Sequence, residues 1–340
     1  MKQEIKHTVA SHFARVHIAN AERIGLDRGL LLREAGLAEA LLQEPKARIA
    51  PRQLAAIFQT VWRESDDEML GLTEAPIRVG VFSLIAERMV ESETLGDALD
   101  EMMRFYHLVT NSFCFEKRVA GDQVALSIAL AKPEYDPDNI LIEMLLLIWH
   151  RFPNWLVGQQ IPLREVSFTY LPKAYKEEYP LLFPGLCRVK QPQNMLVWPA
   201  EVLRWPIRRN REQLRGYLRR APLPWFRKQK IEKSFTDQIS RLLETSSLDD
   251  SASFTEIASQ LHMTERTLRR KLTEEGSCFH RLKGDIRRDR AIYWLSKGDV
   301  SIAEISHHAG YADPAAFIRA FKAWTGLPPG LYRRRLLAAE

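Results

Sequence analysis

Phe254–Gly276 reads FTEIASQLHMTERTLRRKLTEEG, and Ser301–Gly326 reads SIAEISHHAGYADPAAFIRAFKAWTG. The two stretches look like copies of one unit. Ile257 matches Ile305, Ala258 matches Ser306, Leu268 matches Phe317 and Leu272 matches Phe321, a repeat of about 48 or 49 residues with a one-residue slip in the turn. Ser253 with Glu256, and Ser301 with Glu304, fit capping boxes that satisfy amides left open by a first helical turn. Thr264 is suited to cap a second helix in the first copy, which stops before Gly276. In the second copy Asp313 can cap, and Pro314 fits the first helical position, where no amide hydrogen is needed.

On a helix from Thr264, Leu268 and Leu272 share one face, with Arg266, Arg269, Arg270 and Thr273 opposite. In the second copy Phe317, Phe321 and Trp324 point inward, and Ala315, Ile318, Arg319 and Lys322 form the outward row. A basic helix face is ordinarily just a solvated one. Two copies with the same turn chemistry and the same basic row favour a pair of recognition helices, because guanidinium groups pair with guanine edges or phosphates. The candidate DNA-contacting set is therefore Thr264, Arg266, Thr267, Arg269, Arg270 and Thr273, with Pro314, Ala315, Ile318, Arg319 and Lys322. Between the copies, Phe279–Lys297 reads as a single helix ended by Gly298, about 27 Å long, a spacer on the scale of successive grooves.

This region resembles the paired helix-turn-helix domain of AraC/XylS-family transcriptional regulators. The resemblance is carried by TERTLRRKLTEEG, by the run Arg287 to Leu295, and by SIAEISHHAGYADPAAFIRAFKAWTGLPPGLYR, in that order and spacing. Ser306 and Tyr311 stand where the family more often has Ala and Phe, and Pro314 where it often has a polar side chain near the bases. The resemblance implies double-stranded operator or promoter DNA as partner, and contact with RNA polymerase.

Working back toward the N-terminus, the 340 residues are enough for two domains, each with its own core. The composition, 46% hydrophobic and 27% charged, is ordinary for a globular protein, and the net charge of +6 suits a polyanionic partner. Cys114, Cys187 and Cys278 are scattered and odd in number, which gives neither a disulfide framework nor a zinc spacing and fits a reducing cytoplasm. The start, MKQEIKHTVASHFARVH, has no apolar core of a signal peptide. Ile140–Trp155 is the most apolar run; interrupted by Glu143, His150 and Pro153 and short for a bilayer, it reads as a buried helix, with no membrane partner expected.

Residues 1 to about 110 carry helical periodicity, with Pro51 opening one helix and Thr94 with Asp97 capping another. From Phe113 the period changes to two. Val124, Leu126, Ile128 and Leu130 alternate beyond a turn at Gly121-Asp122, and Val166–Tyr170 and Met195–Trp198 are further strands, with a short helix near Lys173–Tyr179. The expected fold is an α+β N-terminal domain with a mostly antiparallel sheet, followed by an all-α C-terminal domain with two helix-turn-helix units joined by a linker helix. LLREAGLAEALLQEPKARIAPRQLAAIFQ, GLTEAPIRVGVFSLIAERMVESETLGDALDEMMRFY and LLFPGLCRVKQPQNMLVWPAEVL resemble the AraC-type arabinose-binding-like domain. That resemblance implies effector sensing or self-association, as a homodimer, without naming arabinose. The arginine-rich interval from Trp205 to Lys233 reads as a connector, so the expected division is 1–205, 206–234 and 235–340.

No phosphate loop, HExxH, GxSxG or CxxC motif occurs, and the histidines have no ligand spacing, so no enzyme, metal or cofactor is expected. His107, His150 and the Trp62, Trp149 and Trp155 set read as core residues, some of which can line an effector cavity whose residues the sequence leaves unknown. The function expected is a cytoplasmic DNA-binding regulator controlled by a small molecule. The alternative is a regulator whose N-terminal domain only self-associates or binds a protein.

Overall fold

The structure, a computed structural model, describes residues 7–171, 175, 178–226, 234–245, 253–275 and 277–337. The expected helix stop at Gly276, most of the expected helix at 173–179, and the basic residues 227–233 lie outside that set.

In chain order the elements are β1 (Val9–Ala10), α1 (Ser11–Arg23), α2 (Arg28–Ala35), α3 (Glu39–Leu42), β2 (Arg48–Ile49), α4 (Pro51–Ser65), α5 (Val81–Met89), α6 (Leu95–Val109), β3 (Phe113–Ala120), β4 (Gln123–Leu130), α7 (Ile140–Val157), β5 (Glu165–Ser167), α8 (Tyr179–Leu182), β6 (Leu186–Arg188), β7 (Asn194–Pro199), α9 (Arg211–Leu218) and α10 (Leu223–Phe226). They continue with α11 (Phe235–Thr245), α12 (Phe254–Gln260), α13 (Glu265–Glu274), α14 (Phe279–Leu295), α15 (Ile302–His308), α16 (Pro314–Thr325) and α17 (Pro329–Leu337). Two compact units result. One comprises Phe13–Leu31 and Leu54–Arg227, the other Met1–His12, Leu32–Gln53 and Lys228–Glu340.

This partition differs from the sequence division at 205 and 234. The expected connector folds as α9 and α10 within the sheet-bearing unit, because aromatic residues are interleaved with its arginines. Tyr217 packs on Trp155 with ring centroids 4.6 Å apart, Trp225 on Trp62 at 5.9 Å and Phe226 on Phe58 at 5.0 Å. Counting arginines hides that apolar face.

In the sheet-bearing unit five strands run in the order β3-β4-β7-β5-β6, antiparallel except for the parallel pair β5-β6. The hairpin β3-β4 pairs Ala120 with Gln123 across Gly121, whose φ of 59° is reached without Cβ strain. Val124, Leu126 and Ile128 alternate inward and are buried. Helix α7 packs on β4 and β7. It is 18 residues long and buried along nearly its whole length, so the apolar run that passes for a membrane span in composition is this unit's central core helix. Pro153 lies inside the helix and does not interrupt it.

The helical unit repeats itself bond for bond. In the first copy Leu261 N donates to Ile257 O, His262 N to Ser259 O and Met263 N to Ala258 O, at 2.9–3.1 Å. In the second, Ala309 N donates to Ile305 O, Gly310 N to His307 O and Tyr311 N to Ser306 O, at 2.8–3.0 Å. His262 (φ 53°) and Gly310 (φ 77°) occupy the same left-handed position. The slip between copies is the extra residue Ala312 before Asp313. Substituting Gly310 by Ala is expected to cost about 1 kcal/mol, read as a lowered melting temperature, because a Cβ disfavours that φ.

Helices α11, α12, α13 and the first half of α14 enclose one core, Ile239, Leu243, Ile257, Ala258, Leu268, Leu272, Leu282 and Ile286. The second core gathers Ile305, Phe317, Phe321, Leu327 and Tyr332, all buried, with Phe321 edge-on to Tyr332 at 5.2 Å. Linker helix α14 ends at Leu295, two residues before the expected Lys297. Its 17 residues span about 25 Å.

Candidate nucleic-acid interface

Local chemistry fixes where each recognition helix begins. Thr264 Oγ1 accepts from Thr267 N at the start of α13, and Asp313 accepts from Ala315 N and Ala316 N at the start of α16, with Pro314 in the first turn. Both capping boxes, Ser253 with Glu256 and Ser301 with Glu304, are formed. Glu275, just past α13, accepts from Phe235 N and Thr236 N and so caps α11 from outside, a role its sequence position does not announce.

With Leu268, Leu272, Phe317 and Phe321 buried, the opposite faces are set. Thr264, Arg266, Arg269, Arg270 and Thr273 are exposed on the first unit, with Thr267 half-buried beside them. Pro314, Ala315, Ile318, Arg319 and Lys322 are exposed on the second. Arg269 lies over the Phe254 ring at 5.3 Å, Arg270 reaches Glu274 at 3.5 Å and Arg319 reaches Asp313 at 3.9 Å. Such exposed pairs are worth little and exchange readily for phosphate or base contacts. Arg266 and Lys322 have no ion pair among the described residues. Ile318, 39% exposed, is an apolar side chain beside the cationic Arg319 and Lys322.

Other arginines of this region are spent on architecture. Arg287 donates to Gly310 O at 2.8 Å and lies over the Tyr311 ring at 4.5 Å, tying α14 to the turn of the second unit. Arg290 donates to Glu244 O at 2.9 Å at the end of α11. Arg333 donates to Val300 O at 2.5 Å. The linker helix is thereby anchored to both units by charge-assisted bonds as well as by Leu282, Ile286, Ile292 and Leu295.

A segment from the N-terminal part of the chain completes the helical unit. Thr8 donates to Asp289 of α14 through its backbone N at 3.3 Å and its hydroxyl at 2.5 Å. Arg48 Nε donates to Thr8 Oγ1 at 2.7 Å. The Tyr332 hydroxyl donates to Arg48 O at 2.6 Å and accepts from Arg48 N at 3.2 Å. Arg335 donates to Ala40 O at 3.0 Å.

In the sheet-bearing unit a cleft of about 590 Å³ is lined by 72–78, Val81, 108–112, 130–132 and Leu141. Its charged groups are ion-paired, Lys132 with Glu74 in the lining and Arg78 with Asp66 outside it. Glu68 and Glu143 are among the carboxyls buried elsewhere in that unit. Glu68 accepts from Gly80 N and Phe82 N, and Glu143 accepts from tyrosine hydroxyls. Burial pushes each up to about 7. The folded chain thus keeps protons that the unfolded chain loses above the ordinary glutamate range. The stability contributed by the pair is expected to fall as pH rises from about 4.5 to about 7 and to level off above it. Urea midpoints across that window check this, and Glu143→Gln should flatten part of the slope. Among the described residues no cluster of three or more metal-ligating side chains is assembled.

Two capped helix-turn-helix units, joined by an anchored linker helix and each presenting a basic row, define a DNA-binding transcription regulator. The family described as the arabinose-binding domain of AraC transcription regulator, N-terminal, matches residues 25–207, and the helix-turn-helix domain family matches residues 257–335. The chain belongs to the AraC/XylS family of transcriptional regulators. It is 23% identical over 345 residues to the ornithine utilization regulator of Pseudomonas aeruginosa, covering 98% of this chain and 99% of that one. It is 37% identical over 78 residues to the regulator VqsM of the same species, covering 23% and 24% of the two chains. The crystal structure of the regulator CdpR from P. aeruginosa is 21% identical, covering 82% of this chain and 90% of that one with a TM-score of 0.32.

Proposed function

We propose that this regulator reads two successive major-groove segments on one face of operator DNA, with α13 as the principal base reader and α16 as the second. The bond-for-bond repeat of the two turns carries the reading, since it puts the row Arg266, Arg269, Arg270 and Thr273 in places equivalent to Ala315, Ile318, Arg319 and Lys322. Residues 235–337 do the reading, and the sheet-bearing unit holds a small-molecule effector that tunes it in the cytoplasm. RNA polymerase and a second copy of this chain are the further partners of that scheme. The supporting observation for an effector is a unit with buried polar atoms left open among the described residues, Glu143 Oε2 and both ring nitrogens of His150. A regulator with no small ligand would show no melting shift with any metabolite, since a ligand selective for the native state raises the melting temperature.

Mapping bound sites and selecting binding sequences tests the DNA reading. Arg266→Ala and Arg269→Ala are each expected to cost about 1–3 kcal/mol and to relax one base position, the signature of a bidentate guanine contact. Lys322→Ala is expected to weaken all sequences alike and to lower the salt slope by about 1, as a phosphate contact does. An unchanged selected motif for both arginine variants would remove α13 from its role. Ile318 suits the C5-methyl of thymine. Replacing thymine by deoxyuridine at one position of the selected site should weaken the natural chain and leave Ile318→Ala unaffected.

A further inference from the structure

Helix α7 carries a polar stripe through an otherwise apolar core. Glu143, His150 and Asn154 recur at i, i+7 and i+11, on one face. Asn154 is used by the fold, accepting from Ile161 N at 2.8 Å. The other two are not fully used. Glu143 is 5% exposed, and its Oε1 accepts from the hydroxyls of Tyr170 at 2.9 Å, Tyr175 at 3.0 Å and Tyr179. Among the described residues its Oε2 is buried without a partner. His150 is 0% exposed, and neither ring nitrogen has a partner among the described residues.

Native proteins rarely leave such atoms open, because each forfeits its hydration for nothing. Three donors crowded onto one carboxylate oxygen leave Oε2 as an acceptor with no donor. If the group is protonated instead, Oε2 is a donor with no acceptor. An aromatic wall surrounds the place. Phe168 stacks on Tyr179 at 4.6 Å, Phe13 meets Tyr175 edge-on at 5.1 Å, and Phe183 lies 5.6 Å from Phe168 and 6.5 Å from His150. Aromatic rings gathered near a carboxylate can recognise an organic ammonium ion, by cation–π attraction and charge-assisted hydrogen bonding. His150, kept neutral by burial, offers one donor and one acceptor two helical turns away, about 10 Å along the axis.

We propose that this stripe is the effector site, taking an aliphatic ammonium compound with Glu143 holding the ammonium group and His150 its second polar end. This rests on the reading of the sheet-bearing unit as an effector domain. The 590 Å³ cleft is a weaker candidate, because its charges are already paired while the stripe keeps open polar atoms, Glu143 Oε2 and the His150 ring nitrogens. Binding an ammonium ion ionises Glu143, so a proton is released as the ion pair forms.

The test uses the full chain and matched probes: 5-aminopentanoate, 1,4-diaminobutane, and pentanoate, which lacks the amine. The two amines are expected to raise the melting temperature and pentanoate is not. Calorimetry in buffers of different ionisation enthalpy should show proton release near neutral pH. Glu143→Gln, which keeps the shape, should weaken amine binding by about 10-fold or more. Should that variant not fold, ring resonances of labelled tyrosines in the unmodified chain should still shift on amine titration. Failure of both amines to bind at about 10 mM, or equal binding by Glu143→Gln, overturns the site. If a compound without an amine binds and alters DNA affinity, and Thr110→Trp in the cleft abolishes this, the effector domain stands and the stripe is not its site. If no compound binds at all, the effector reading itself falls.

Discussion

A fragment of residues 235–340 is expected to keep the base preference of the full chain but to lose about 3–5 kcal/mol of stability in α14 and α17. Both helices spend polar groups on partners the fragment lacks. Asp289 loses the amide and the hydroxyl of Thr8, and Tyr332 loses both hydrogen bonds to the Arg48 backbone. Asp289 is 9% exposed and Tyr332 fully buried, so water only partly replaces what is lost, and each orphaned group costs about 1–3 kcal/mol. Apolar cover goes as well, because α3, which packs against α17, is removed with Ile49 and Leu41. Hydrogen exchange of α14 and α17 amides in the fragment and in the full chain measures the difference. Equal protection in the two would show that the N-terminal segment contributes nothing to these helices. In the full chain, Thr8→Val removes the hydroxyl alone and should reproduce a fraction of the effect, about 1 kcal/mol.

The contrast between that network and the helix-turn-helix core shows what the sequence could disclose. Caps act within four residues, so Ser253, Thr264, Ser301 and Asp313 were legible from composition and spacing. The inward rows follow the helical period, and the extra residue Ala312 shows as a slip between the copies. The N-terminal segment has no such signature. Thr8 and Asp289 are 281 residues apart, and nothing in TVA or RDR marks them as partners. Helix α11 does have a local signature, since Phe235, Ile239 and Leu243 recur at four-residue intervals. The Glu143 cluster was half visible. The sequence shows a carboxylate and a histidine interrupting an apolar helix, but the tyrosines that surround the carboxylate lie 27, 32 and 36 residues away. Arginine counting misled twice: it made a connector of α9 and α10, and it does not distinguish Arg266, which faces outward, from Arg287, Arg290 and Arg333, which bind carbonyl groups.

The largest effect on DNA binding is expected from changing the spacing between the two half-sites. Linker helix α14 is held at both ends. Leu282 and Ile286 enter the first core and Arg290 closes on α11, while Ile292 and Leu295 are buried toward the second unit and Arg287 fastens its turn. A helix of about 25 Å so anchored has little freedom to twist, and the two recognition helices hold a fixed angle and separation. Inserting about 5 bp between the half-sites turns one of them to the far side of the duplex, so only one unit can engage. The second unit then contributes nothing through its effective concentration, and affinity should fall by about 100-fold or more, about 2.7 kcal/mol. An insertion of about 10 bp restores the face but adds about 34 Å of separation, which the linker cannot span, so binding should stay weak. Separate titrations of the three DNAs at fixed salt decide the matter. Recovery at 10 bp would mean that the linker bends or unwinds, and undiminished binding at 5 bp that a single unit supplies the whole affinity. With the natural spacing, Arg266→Ala should cost more than it does on the 5 bp DNA if the weakened complex is held by α16, and the same if it is held by α13.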